Sequence, residues 1–259
     1  MASASAKRKL CVIIPVYNEE KTLREILDIV SARPETAEII IIDDASTDKS
    51  VEVAEDYVKS RKRGKPSVKL LRQSRNMGKG AAIRRGFDEA AAPIVIIQDA
   101  DKEYTPDDYP VVLEPIVSGK ADVVYGSRFQ EGPGKVLDYR HMMGNRFITL
   151  ASNIFTNLAL TDVESCYKVF KKEVIQNLVL ETNRFGIEVE ITAKLAKARE
   201  LTMFEVPINY NGRTYGEGKK ITWKDGIAAF WHIFKFNLLR SAKDSFKRPW
   251  EEALPDKRS

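Results

Sequence analysis

Leu10-Cys11-Val12-Ile13-Ile14-Pro15-Val16-Tyr17-Asn18-Glu19 is an apolar run that stops abruptly on polar side chains. Seven residues without polar–apolar alternation read as a strand buried on both faces, the pattern of a parallel sheet covered by helices. The same punctuation recurs downstream. Leu23, Ile26, Leu27 and Val30 repeat at i, i+3, i+4 and i+7, a helix face. Residues 39–42 are four isoleucines, stopped by Asp43 and Asp44. Ser46 or Thr47 is placed to cap the next helix, with Val51, Ala54, Tyr57 and Val58 on its inner side. After a basic, loop-like segment at 60–66, residues 68–71 read as a strand, and Arg75-Asn76-Met77-Gly78-Lys79-Gly80 leads into a helix through Phe87. Residues 94–97 form a fourth apolar run, ending in Gln98-Asp99-Ala100-Asp101. This alternation predicts an α/β fold: an open, mostly parallel sheet with helices on both faces, in a single domain.

The second half is less regular. Thr105 and Pro106 open a helix whose inner positions are Val112, Leu113, Ile116 and Val117. Residues 122–125 read as a strand followed by Gly126-Ser127-Arg128, and a loop at 130–138 precedes a long helix over 142–158. Strands are expected at 166–170 and 202–210. In 223–240, Trp223, Ile227, Phe230, Trp231, Phe234 and Leu238 share one helical stripe, with Lys219, Lys220, Lys224, Lys235 and Arg240 beside it. Such a helix suits a bilayer interface and core packing equally well. The expected division is a tail at 1–9, the α/β domain at 10–221, an amphipathic helix at 222–245 and a polar tail at 246–259.

Composition narrows the function classes. The 259 residues are 43% hydrophobic and 31% charged, as in a soluble globular chain. The net charge is 42 minus 37, or +5, with no long block of like charge, so no nucleic-acid partner is expected. Two cysteines and two histidines, Cys11, Cys166, His141 and His232, are too scattered for a zinc site. Residues 1–9 lack the apolar stretch of a signal peptide, and no run reaches the roughly eighteen apolar residues of a spanning helix. A cytoplasmic chain, peripheral at the cytoplasmic face of the membrane, is the expectation.

Ligands of such sheets bind beyond the carboxyl ends of the strands. Here three strands end in acids. Asp99 and Asp101, two residues apart at a strand end, can converge on one ion, with Glu103 as a third carboxylate. Hard carboxylate oxygens select Mg²⁺ or Mn²⁺, which take up the charge growing on a departing diphosphate. Asp43 and Asp44 can accept hydrogen bonds from a ribose or a base. Gly78 and Lys79 lie in a basic loop leading into a helix, suited to an anion. This loop is neither a P-loop nor a dinucleotide fingerprint, since Gly80 follows Lys79 and Ile83 stands at the third glycine position.

Ile13-Ile14-Pro15-Val16-Tyr17-Asn18-Glu19, Ile42-Asp43-Asp44-Ala45-Ser46-Thr47-Asp48, Arg75 to Gly80, Asp99-Ala100-Asp101 and Gly126-Ser127-Arg128-Phe129 together resemble family 2 glycosyltransferases of the GT-A fold. The branch most similar makes polyprenyl-phosphate sugars such as dolichyl-phosphate mannose or glucose. The resemblance implies metal-dependent, inverting transfer of glucose or mannose from a nucleoside-diphosphate sugar to a dolichyl or undecaprenyl phosphate. It places the nucleotide on Pro15, Tyr17, Glu19 and Asp44, and the metal and diphosphate on Asp99, Ala100, Asp101 and Glu103. Arg128 and Arg140 would meet the acceptor phosphate, and Arg213 and Lys219 the donor diphosphate. Asp101, Arg128 and Arg213 are the catalytic candidates. Were the acceptor a saccharide or small hydroxyl compound, a base would be needed, with Asp162, Glu164, Glu188 and Glu190 as candidates. A membrane-protein partner or a homo-oligomer also suits such a chain. A sugar-nucleotide pyrophosphorylase would require a glycine-rich basic signature near the N-terminus, and 13–22 carries none.

Overall fold

A computed structural model describes residues 8–60, 66–129, 139–212 and 223–253 of the chain, with the side chains of 140, 141, 223–225, 227 and 251 outside that description. Strand and helix alternate as the apolar runs predict: β1 Leu10–Val16, α1 Leu23–Ala32, β2 Thr36–Asp43, α2 Ser50–Lys59, β3 Ser67–Arg72, α3 Lys79–Glu89 and β4 Ile94–Ile97. The second half adds α4 Tyr109–Val117, β5 Val123–Ser127, α5 Tyr139–Thr156, β6 Lys168–Lys171, α6 Lys172–Asn177, α7 Ile187–Leu195, β7 Met203–Pro207, α8 Trp223–Phe234 and α9 Trp250–Ala253.

Among the described residues seven strands form one sheet, in the order β3-β2-β1-β4-β6-β5-β7. The pairs β1–β2, β1–β4, β2–β3 and β5–β7 are parallel. β6 runs against both β4 and β5. Ile39 to Ile42 are fully buried, as helices over both faces require of a central parallel strand. A second, small core of Ile148, Val163, Val189, Ala229 and Ile233 joins α5, α7 and α8. Among the described residues no helix is long and apolar enough to cross a membrane.

Three local expectations are corrected. α2 starts at Ser50, and neither Ser46 nor Thr47 caps it. The Ser46 hydroxyl instead accepts the Asn18 amide at 3.0 Å, and the Thr47 amide donates to Asn18 Oδ1 at 2.8 Å. Thr105 does act as a cap, accepting the Asp107 amide, but of a short 3₁₀ turn at Pro106–Asp108 that then enters α4. The strands expected at 166–170 and 202–210 are shorter, at Lys168–Lys171 and Met203–Pro207.

Candidate functional site

Because β1, β2, β4 and β5 run the same way, their carboxyl ends share one rim. Tyr17 and Glu19, Asp43 and Asp44, Asp99 to Asp101, and Arg128 all follow those ends. The reversal of β6 delivers its preceding loop, 162–167, to the same rim from the opposite direction. Nothing in the sequence periodicity announced that loop, and it carries Asp162, Glu164 and Cys166.

The first two acidic ends are stitched to each other. The Glu19 amide donates to the Ser50 hydroxyl at 2.8 Å and the Glu20 amide to Asp48 at 3.1 Å. The Glu19 carboxylate accepts the Thr22 hydroxyl at 3.0 Å. Pro15 lies within β1, half-buried, and Tyr17 is exposed at the rim. Asn18 and Ala45 have φ of 53° and 58°, left-handed conformations uncommon for residues with a Cβ. Strain of this kind persists where surrounding bonds over-determine the turn. Asp43, buried, supplies part of that constraint by accepting the Ser46 amide at 3.3 Å on both oxygens.

Asp44 is also buried, and its carboxylate accepts Gln73 Nε2 at 2.6 Å and the Met77 and Gly78 amides at 2.7 Å. Those three bonds fasten the 73–78 turn and leave about one of its four acceptor positions for a ligand. Gly78 is required there: its φ is +96°, and a Cβ would run into the Asn183 carbonyl. A Cβ on Gly80 would lie 2.5 Å from the Thr182 carbonyl. The loop is therefore pressed against 182–184, which sets the direction of Lys79.

Lys79 points into the site. Its ammonium lies 2.8 Å from Asp99 and 3.4 Å from Glu188. Burial works against its charge, but Asp99 and Glu188 outweigh it and hold the pKa well above the ordinary lysine value. Gln98, fully buried, fixes the turn that follows β4. Its side-chain oxygen accepts the hydroxyls of Tyr109 at 3.0 Å and Tyr167 at 2.7 Å, and its amide donates to the carbonyls of Asp99 and Tyr104. Asp101 Oδ1 accepts the Glu103 amide at 3.0 Å, whereas Glu103 Oε2 accepts the Tyr210 hydroxyl at 3.1 Å. Ala100 between the two aspartates is buried.

Asp99, Asp101 and Glu103, expected as one ligand set, are thus drawn to different partners, and no three acidic, histidine or cysteine side chains are gathered for a metal among the described residues. Lys79 and Tyr210 are the physical reason. The donor chemistry still suits a hard cation. Mg²⁺-type ions are commonly held by one or two carboxylates together with substrate phosphates rather than by an all-protein cage. Asp101 with Asp99 fits a cation that arrives with a diphosphate.

Arg128 is the cationic counterpart. Its Nε lies 2.6 Å from Asp162 Oδ2 and its Nη2 2.8 Å from Oδ1, a bidentate pair. The Arg128 side chain is 9% exposed and that of Asp162 fully buried. The guanidinium also faces the rings of Tyr210 at 5.0 Å and Phe129 at 5.5 Å. Asp162 further accepts the Arg128 amide at 3.1 Å, so this carboxylate positions the arginine. Glu190 is likewise engaged, with Lys194 at 2.6 Å and with the amides of Glu181 and Thr182. Arg213 and Lys219 lie outside the described residues, as does the side chain of Arg140. The sequence reading had Lys79 as an anion contact and Asp162 as a candidate base, but neither the pairing of Lys79 with Asp99, nor that of Asp162 with Arg128, nor any role for Gln98. Gln98, one polar residue continuing an apolar strand, was the visible signal for the last.

Glu164 has a different environment. Its carboxyl is pushed up to about 8, first by burial and then by Glu188. A carboxyl that keeps its proton in the folded chain and loses it in the unfolded one weakens folding as pH rises from about 4.5 to about 8. Glu164→Gln removes that slope. In urea titrations the variant is expected to gain on the parent steadily towards pH 8 and to match it at acid pH; parallel profiles would contradict this.

Comparison with known proteins agrees with this geometry. The sequence profile described as "Glycosyl transferase family 2" matches residues 11–179. Dolichol-phosphate mannosyltransferase of Pyrococcus furiosus is 31% identical over 217 residues, covering 82% of this chain and 59% of its own length. Undecaprenyl-phosphate mannosyltransferase of Micrococcus luteus is 28% identical, covering 82% of this chain and 87% of its own. Dolichyl-phosphate beta-glucosyltransferase of Trichomonas vaginalis is 30% identical, at 78% and 65%. The chain therefore spans less than two thirds of the Pyrococcus and Trichomonas proteins. Glucosyl-3-phosphoglycerate synthase of Mycobacterium tuberculosis, solved with Mn²⁺, UDP and phosphoglyceric acid, superposes with a TM-score of 0.70 at 16% identity, over 93% of this chain and 82% of that one, which is a likeness of fold. With a match across well over half of its residues, and with acids and an arginine meeting at one strand-end rim, the chain belongs to glycosyl transferase family 2.

Proposed function

We propose that the protein transfers a hexose, glucose or mannose, from a nucleoside-diphosphate sugar to a polyprenyl phosphate, with inversion and with a divalent cation. The observation that carries this reading is the meeting of Asp43, Asp44, Asp99 and Asp101 with the Asp162-braced Arg128 at one rim. Asp43 and Asp44 supply acceptors for the nucleoside. Asp101 and Asp99 would hold the cation, whose contribution is to neutralise the leaving diphosphate. Arg213 and Lys219 are assigned to that diphosphate, and Arg140 to the acceptor phosphate beside Arg128, on the resemblance alone.

The engagement of Asp162, Glu188 and Glu190 in ion pairs favours a phosphate acceptor. A phosphate oxygen is already an anion at neutral pH, so the chain has only to orient it and strip its water. Arg128, locked by Asp162 and charged despite burial because Asp162 outweighs desolvation, is built for that. A hydroxyl acceptor needs a base, and Glu164 is the carboxyl whose environment suits one. The relatives named for polyprenyl-phosphate transfer support the first reading. UDP-glucose and GDP-mannose, each labelled in the sugar and incubated with Mn²⁺ with and without polyprenyl phosphate, decide between them. Label is expected in the organic phase, dependent on the lipid phosphate. Label passing to a water-soluble saccharide instead would overturn the assignment of the acceptor.

A further inference from the structure

A pair of carboxylates that takes a divalent cation loses part of that capacity when a lysine already sits on one of them. Asp99 is in that position. It meets the Lys79 ammonium at 2.8 Å, with 18% of its own side chain and 17% of the lysine exposed. Lys79 has little freedom to be elsewhere. It is the first residue of α3, and the glycines on either side of it are pressed on the carbonyls of Asn183 and Thr182. The Ala81 amide donates to the Asn183 carbonyl at 3.1 Å, which ties the start of the helix to the same segment. The ammonium is nonetheless shared. Glu188, on α7, presents one oxygen to it at 3.4 Å. The other oxygen, Oε2, is buried and has no hydrogen-bond partner among the described residues. A buried acceptor left unpaired is costly, so Glu188 has unused capacity for the same cation.

We infer that Lys79 is a positioning residue with two seats, Asp99 and Glu188, and that its hold on Asp99 keeps a divalent cation from binding until a nucleoside diphosphate comes with it. The inference rests on the reading of Asp99 and Asp101 as the carboxylates for that cation. With Lys79 in place, the charge that Asp99 can offer to a free cation is largely cancelled by an ammonium in direct contact. A diphosphate shifts the balance in two ways. It brings its own oxygens to the cation, which then needs less from the protein. It also brings a second anion to the ammonium. Glu188 can take up the ammonium through the oxygen it has unused, and Asp99 is released. Lys102, the neighbour of Asp101 in sequence, offers no such control: its side chain is half-exposed and paired with Glu25.

Mn²⁺ binding to the full chain, followed by the electron paramagnetic resonance signal of the free ion, tests this without any turnover. The parent, Lys79→Met, Lys79→Gln, Glu188→Gln and Lys102→Met are titrated with Mn²⁺ alone, then with UDP or GDP present against nucleotide-only blanks. Thermal melts in chelator establish which variants are folded; Lys79→Gln keeps polar contacts to both acids and stands in if Lys79→Met does not fold. Mn²⁺ alone is expected to bind the Lys79 variants about tenfold or more tightly than the parent. Lys102→Met should stay within about twofold of the parent, because exposed charge is screened. Glu188→Gln should move the other way. Without the charge of its second seat Lys79 stays on Asp99, and Mn²⁺ binding with nucleotide should weaken by about threefold or more. Folded Lys79 variants that bind Mn²⁺ alone no better than the parent would overturn the inference, as would an equal gain in Lys102→Met. Failure of the underlying reading looks different. Mn²⁺ that the parent binds with neither nucleotide, or nucleotide-dependent binding that survives Asp101→Asn, removes the cation from these acids and the role of Lys79 with it. Nucleotide-dependent binding that Asp101→Asn abolishes, with the Lys79 variants unchanged, keeps the cation on the acids and strikes only the lysine.

Discussion

Asp101→Asn is expected to lower Mn²⁺-dependent hexosyl transfer by at least about 10²–10³-fold, the scale for losing one electrostatic contact to a charge that grows in the transition state. The substitution keeps an oxygen that can accept the Glu103 amide, so the turn after β4 is retained. Gln98 continues to fix that turn from beneath through Tyr109 and Tyr167. What disappears is the negative charge. Asp99 alone does not make up for it, because its carboxylate is shared with the Lys79 ammonium at 2.8 Å. Release of nucleoside diphosphate by the variant, compared with the parent over a Mn²⁺ series, is the readout. Parental turnover in the variant, or undiminished turnover of the parent under a chelator, would contradict the role given to Asp101.

Asp162→Ala should cost about 3–5 kcal/mol of stability, the range for breaking a buried ion pair from one side. The loss is large because Asp162 is fully buried and accepts two guanidinium bonds and one amide from Arg128. Removing it leaves a guanidinium cation, 9% exposed, without its counter-charge. Urea unfolding at an unchanged m-value measures the shift. A loss below about 1 kcal/mol would mean that the pair behaves as a surface ion pair. Arg128→Lys tests the geometry separately: it keeps the charge but gives up the planar fork, so transfer should fall with a smaller loss of stability.

The strands and helices of the first hundred residues were legible because a buried parallel strand is written as an unbroken apolar run. The run at 39–42 and its stop at Asp43 coincide with the end of β2. The three acidic strand ends and Arg128 were legible for the same reason, since polar residues after such runs fall at one rim. The direction of β6 was not, because pairing direction is decided by partners far along the chain. Asp162 therefore looked like one acid among several, with its pairing to Arg128 spanning thirty-four positions. Ser46 resembled a helix cap because caps are recognised locally; its partner is Asn18, twenty-eight positions away. The stripe of α8 posed a choice between core and bilayer that the fold dissolves, since the helix buries Ala229 and Ile233 and exposes Phe230 and Trp231.

Calorimetric titration of UDP and GDP into the protein, in Mn²⁺ and then in chelator, tests the central claim most directly. Acids from neighbouring strand ends that share a cation with a diphosphate predict binding of one nucleotide that is tightened by Mn²⁺ and loses that gain in Asp101→Asn. Nucleotide affinity identical in metal and chelator, or unchanged by Asp101→Asn, would contradict it.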